Sequence, residues 1–306
     1  MGGRVHAAII GMNMKLKLQS AMEYLMTYGW AILVIAVVLG VLYSLGIFSP
    51  SNFAPKATPG SCQVFRPNGP GTSYDVNLEG TCSGELPEYV ASFDANPDEV
   101  IDTDTVLISN TVSGYTFSLW IYVPKNAKFP TSNEIAVIGE GGTSGTGVTG
   151  IGMNAAGPVI YLGYECSGND GGVAFEQDSW ISVIGTYETG VGGTTFIDGV
   201  NSTHGSFGFG PNQVFAIGNG GIGCNANPNP FDGYISNVQV YNATFTTSEA
   251  QALYSEGIGG APVSLQNLVA WYPLNGNAND YSGNNNNGVP SNVIFTGTWQ
   301  SGYTAP

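Results

Sequence analysis

The 306-residue chain carries 22 acidic side chains against 7 Lys and Arg, a formal net charge of −15. A surface of that sign repels phosphate backbones, which excludes nucleic acid and other phosphate-rich partners. Charged residues make up only 9% of the chain, and Gly (45), Asn, Ser and Thr supply the polarity instead, as suits a surface-exposed domain.

The first element is KLKLQSAMEYLMTYGWAILVIAVVLGVLYSLGIF, residues 15–48. Lys15 and Lys17 lead into Gln19–Glu23, and no charge follows from Tyr24 to Phe48. As a helix that apolar run spans roughly 38 Å, enough to cross a bilayer with some tilt. It exceeds the ~7–15 apolar residues of a secretory signal, and SLGIFSPSN offers no small-residue cleavage site. The positive-inside rule keeps Arg4, Lys15 and Lys17 cytoplasmic and places everything after Phe48 outside. One reading is a single-pass anchor. The first eleven residues read as an upstream extension, with Met12 and Met14 as alternative starts.

The same segment resembles the class III signal peptide of archaeal type IV pilin-like proteins. In that family a basic leader ends before a Gln, a Glu stands at the fifth mature position, and a long apolar helix follows. Here Leu18 would precede the cut, Gln19 would be the first mature residue and Glu23 the fifth. The family has a small residue where Leu18 stands. The resemblance implies a prepilin-type peptidase as partner, and assembly with copies of the chain into a surface filament. A freed ammonium at Gln19 of one copy would then pair with Glu23 of a neighbour in apolar surroundings. Glu23 also has a plain structural role, since an acid in the first helical turn favours the helix dipole by ~0.3–1 kcal/mol. The implied order is leader 1–18, membrane or filament-core helix 19–48, linker 49–60 and head 61–306.

The Pro- and Ser-rich 49–60 stretch lacks periodicity and reads as that linker. Beyond it Cys62, Cys82, Cys166 and Cys224 lie where disulfides persist, without the paired spacing of a zinc site. The preferred pairing is Cys62–Cys82 and Cys166–Cys224. Asn201 and Asn242 begin glycosylation triplets. Strands are predicted at 115–124, 179–188 and 193–201, the last entering a turn at Asp198-Gly199. QVFAIGNG and FDGYISNVQVYN follow as further strands. In 115–124, Phe117, Leu119, Ile121 and Val123 share one face, and Thr116, Ser118, Trp120 and Tyr122 share the other. One helix is predicted at 246–257, capped by Thr246, Thr247 or Ser248, with Glu249 in its first turn and Gly257 at its end. The expected fold class is mainly β: an N-terminal hydrophobic α-helix followed by an antiparallel β-sandwich.

FSLWIYV, WISVIGTY, FIDGV and FDGYISNVQVYN followed by SEAQALY resemble, in that order, the laminin-G-like, concanavalin A-like jelly-roll family. The resemblance covers roughly residues 85–257, and YVASFDANPDEV (89–100) is similar to an early strand of the family. NLVAWYPLNGNANDYSGNNNNG, 267–288, resembles the family's opening strand although it follows the closing one. Three readings are open: a circularly permuted sandwich completed by 261–306, a truncated second module, or a strand donated to a neighbour.

No catalytic constellation is legible. His6 and His204 are the only histidines, and NSTHGSFGFG around His204 reads as an ordinary loop. The acids Asp94, Asp98, Glu99, Asp102 and Asp104 are interrupted by Pro97, unlike the paired carboxylates of a glycosidase, so a non-enzyme is expected. Calcium takes several carboxylate and carbonyl oxygens. Asp94, Asp98, Asp102, Asp170 and Asp280 are candidate ligands by analogy with the family, against a reading as solvated loop acids. For glycans, Trp120, Tyr122, Tyr161 and Tyr164 are the candidate contacts, with core packing the better reading for Trp120 and Trp180. The Asn284–Asn287 run reads as a turn-rich loop. The expected localisation is the cell membrane with the head extracellular.

Overall fold

A computed structural model of the chain describes residues 28–41, 86–129, 135–140, 148–154, 157–164, 172–203, 214–219, 230–299, 301–304 and 306. The chain forms two compact units, Met1–Ala54 and Pro55–Pro306. In the first, helix α1 spans 28–41, about 21 Å at the usual rise, and its apolar side chains from Tyr28 to Val41 are exposed. Among the described residues no helix is long and apolar enough to cross a membrane. The rest of the predicted 24–48 run lies outside them, as do Leu18, Gln19, Glu23, all four cysteines, Asp170, His204 and the side chain of Tyr164.

The second unit is a β-sandwich of two antiparallel sheets. The first sheet runs β10 (Val200–Thr203), β9 (Gly192–Ile197), β8 (Trp180–Glu188), β3 (Gly114–Tyr122), β12 (Asp232–Tyr241), β1 (Val90–Asp94), β15 (Ile294–Thr296), with β13 (Leu268–Tyr272) also on β12. The second runs β14 (Val289–Ser291), β2 (Val100–Asp102), β11 (Phe215–Ile217), β4 (Ile135–Glu140), β5 (Val148–Met153), β6 (Val159–Tyr164), β7 (Val173–Ala174). Period-two alternation sends Phe117, Leu119 and Ile121 of β3, Val183 of β8, and Ile151 and Ile160 of the facing sheet into one core.

The tail completes this sandwich. Strand β12 pairs with β1 over Asp232–Ile235 and with β13 over Val238–Tyr241, so the two lie end to end on one edge. The changeover falls at Asn237, whose φ is 50°, a left-handed conformation that Asn adopts more readily than most residues. Its side chain fastens the break: Nδ2 donates to the Gly260 carbonyl (2.9 Å), and Oδ1 accepts from Trp271 Nε1 (2.7 Å) and Gln239 Nε2 (3.0 Å). Strand β14 then extends the second sheet beside β2, and β15 extends the first beside β1.

The outer face of the first sheet is also covered. Helix α2, Thr247–Ser255, has the full capping box, with Thr246 accepting from the Glu249 N–H and the Glu249 carboxylate accepting in return from the Thr246 N–H. Gly257 follows at φ 79°, where a helix end favours glycine. Ala250 and Leu253 pack with Ile184, Phe196, Tyr241 and Trp271. A third cluster gathers Trp120, Trp180, Ile258 and Trp299. Trp299 is anchored by donating to the Pro87 carbonyl (3.1 Å) and accepts on its own carbonyl from Trp180 Nε1 (3.0 Å).

Candidate functional site

The Asp198-Gly199 turn joins β9 to β10 with both residues at positive φ, 50° and 75°, the hairpin geometry that this dipeptide favours. A Cβ at Gly199 would stand 3.0 Å from the Tyr254 ring, so glycine lets the turn close against α2. Two reciprocal bonds lock the turn onto β8: Asp198 N–H donates to the Ser182 carbonyl (3.0 Å), and Ser182 N–H donates to Asp198 Oδ1 (2.8 Å). From the other side the tail runs in, with Trp180 N–H donating to the Gly302 carbonyl (3.0 Å).

These pieces enclose a cleft of about 430 Å³. Its lining includes Trp180 and Ser179 at the start of β8, Asp198 on the turn, Tyr254 on α2, Glu176 after β7 and Thr304 on the tail. Trp180 borders the cleft but is only 4% exposed, held edge-to-face against Trp299 at 5.5 Å. Tyr254 is half-buried and stacks on Trp120 at 6.0 Å. Burial pushes the Asp198 carboxyl above the usual carboxylate range, an effect opposed by the Ser182 N–H bond. Burial also raises the Tyr254 hydroxyl, and the nearby Asp198 charge adds to this. The half-buried Tyr254 ring beside carboxylates and hydroxyls, in a concave site of this size, can pack on a sugar ring while the polar groups accept its hydroxyl protons.

The residues expected from sequence fall elsewhere. Trp120 is only 3% exposed, closed off by Tyr254 and by Tyr303 at 5.5 Å, so it packs rather than presenting a face to ligand. Tyr122 is half-buried between Trp180 (5.9 Å) and Tyr234 (5.6 Å). Tyr161 is buried on β6, where its hydroxyl meets Asn154 Nδ2. Asn201 is exposed on β10 and Asn242 is exposed just past β12.

The Asp280 carboxylate is engaged by the protein itself. Oδ1 accepts from the Trp271 N–H (3.0 Å) and the Ser282 N–H (2.8 Å), and Oδ2 from the Ser282 hydroxyl and the Asn286 N–H (both 2.9 Å). A carboxylate offers about four lone-pair sites, and four protein donors point at this one. In the other acidic run, the Glu99 carboxylate is buried and accepts from the Asp94 N–H (2.6 Å), and desolvation raises it above its ordinary range. Asp102 accepts from the Asp104 N–H (2.9 Å), while Asp98 donates its N–H to Asn96 (3.1 Å). Among the described residues, no three His, Cys, Asp or Glu side chains assemble as a metal site.

Sequence reasoning placed the Asp198-Gly199 turn but not its role, because the residues that wall the cleft come from 174–181, 197–198, 254 and 302–304. Nothing local in those segments signals that they converge.

Two antiparallel sheets packed face to face define a jelly-roll-like β-sandwich. Residues 95–251 match the family model described as Concanavalin A-like lectin/glucanases superfamily, Laminin_G_3, and the chain belongs to that family. Among solved structures, a Bacteroides ovatus protein described as carbohydrate-binding aligns at 16% identity and TM-score 0.47, over 69% of this chain and 60% of its own. Trypanosoma rangeli sialidase in complex with sialic acid aligns at 13% identity and TM-score 0.40, over 61% of this chain and 32% of its own. The binding domain of botulinum neurotoxin DC aligns at 13% identity and TM-score 0.36, over 49% of this chain and 37% of its own. This chain therefore spans less than two thirds of each of these relatives. No curated protein matches it.

Proposed function

We propose that the chain is a cell-surface, pilin-like subunit whose jelly-roll head binds glycans without hydrolysing them, its apolar N-terminal segment serving first as a membrane anchor and then as filament core. The observation that carries the binding half is the cleft in which the half-buried Tyr254 stands beside Asp198, Glu176, Ser179 and Thr304. Family membership supports the same half. Apolar side chains exposed all around α1 support the other, since such a helix requires lipid or other helices around it.

Prepilin-type peptidase and further copies of the chain are the partners this reading requires, with adhesion as the outcome. The full chain in mild detergent should bind at least one oligosaccharide class on a glycan array; silence across all classes overturns the binding half. N-terminal sequencing of protein recovered from its native host should begin at Gln19. A mature chain that retains Lys15 and Lys17 overturns the pilin half and leaves a membrane-anchored lectin.

A further inference from the structure

The cleft carries a charge pattern that narrows its ligand. Its two acids, Asp198 and Glu176, face no cation among the described lining residues. The described lysines of the head are committed elsewhere: Lys125 pairs with Asp178 at 3.3 Å, and Lys128 Nζ donates to the Asp94 carbonyl at 3.0 Å. Asp198 is half-buried and held rigidly by the turn and by Ser182, with Oδ1 engaged by the Ser182 N–H. Among the described residues no protein donor reaches Oδ2. A partly desolvated carboxylate in a chain of net charge −15 gains most from a cationic partner. An acidic sugar would meet repulsion from both carboxylates.

We infer that the cleft takes an amino sugar with a free, protonated amine, in preference to its N-acetylated counterpart and to acidic sugars. This rests on the glycan-binding reading and specifies its ligand. The amine donates to Asp198 Oδ2 while the sugar ring lies against the aromatic lining; Glu176, exposed at the mouth, adds attraction at longer range.

Calorimetric titration of the full chain at about pH 6 with a glucosamine oligomer, an N-acetylglucosamine oligomer and a galacturonate oligomer tests this. The glucosamine oligomer should bind about tenfold or more tightly than the N-acetylated one, as a charge-assisted hydrogen bond warrants, and galacturonate should not bind. Asp198→Asn keeps an acceptor for Ser182 and suits the left-handed turn, and it should bring the ratio of the first two close to one. Glu176→Gln, at an exposed position, should reduce the ratio less. Equal or tighter binding of the N-acetylated or acidic oligomer overturns the inference, as does an unchanged ratio in Asp198→Asn. If the array registers other sugars while all three oligomers are silent, the inference falls and the glycan-binding reading stands. Silence on the array as well removes both.

Discussion

The head should lose stability as pH rises from about 5 to about 8, and Glu140→Gln should remove most of that loss. Glu140 closes β4 with its side chain 1% exposed, and Oε1 accepts from the Leu107 N–H (2.5 Å) and the Ile108 N–H (2.6 Å). Desolvation outweighs those two bonds and raises the carboxyl from 4.5 to about 7. Between these values the native state holds a proton that the unfolded chain has released, so stability falls with rising pH across that window and levels off above it. The swing is about 3 kcal/mol. Gln mimics the neutral acid and keeps the acceptor for both amides. Glu99, Asp198 and Glu256 are also raised, chiefly by burial, so a smaller slope of the same sign remains in the variant. Asp178 is lowered, mainly by the Lys125 N–H bond, and its contribution is lost only on the acid side. Urea midpoints at four pH values check this; parallel curves for wild type and variant would contradict it.

Replacing Asp280 with Ala should cost about 3 kcal/mol or more, because it strands buried donors at Trp271 and Ser282 and a part-buried one at Asn286 together. The loop they organise holds β13 in place: Asn284 and Asn286 side chains both donate to the Val269 carbonyl, and the Tyr272 hydroxyl donates to the Asn286 carbonyl. Asp280→Asn should not rescue stability, since its amide nitrogen would confront N–H donors. A cost within about 1 kcal/mol for Asp280→Ala would contradict the assignment.

The two periodicities were legible in the chain. Alternation in 115–124 located β3 and its core face, and Thr246, Glu249 and Gly257 bracketed α2. What alternation could not show is that the opposite face of β3 is buried as well. Trp120 on that face is covered by Tyr254 and Tyr303, from 134 and 183 positions later in the chain. Long-range cover of this kind leaves no local period. The resemblance of 267–288 to an opening strand was legible too. Its slot was not, because that depends on Asn237 breaking one strand edge into two. The cleft was illegible for the same reason: the tail that completes the sandwich also walls the site.

The central claim is that glycans bind where the β9–β10 turn, α2 and the tail meet. Hydrogen exchange of the full chain, with and without an oligosaccharide selected on the array, tests this most directly. Exchange should slow at 174–181, at 197–199 and at 302–304 when the sugar is bound. Tight binding with these segments unprotected, and protection confined to the outer face of the second sheet, would contradict the account.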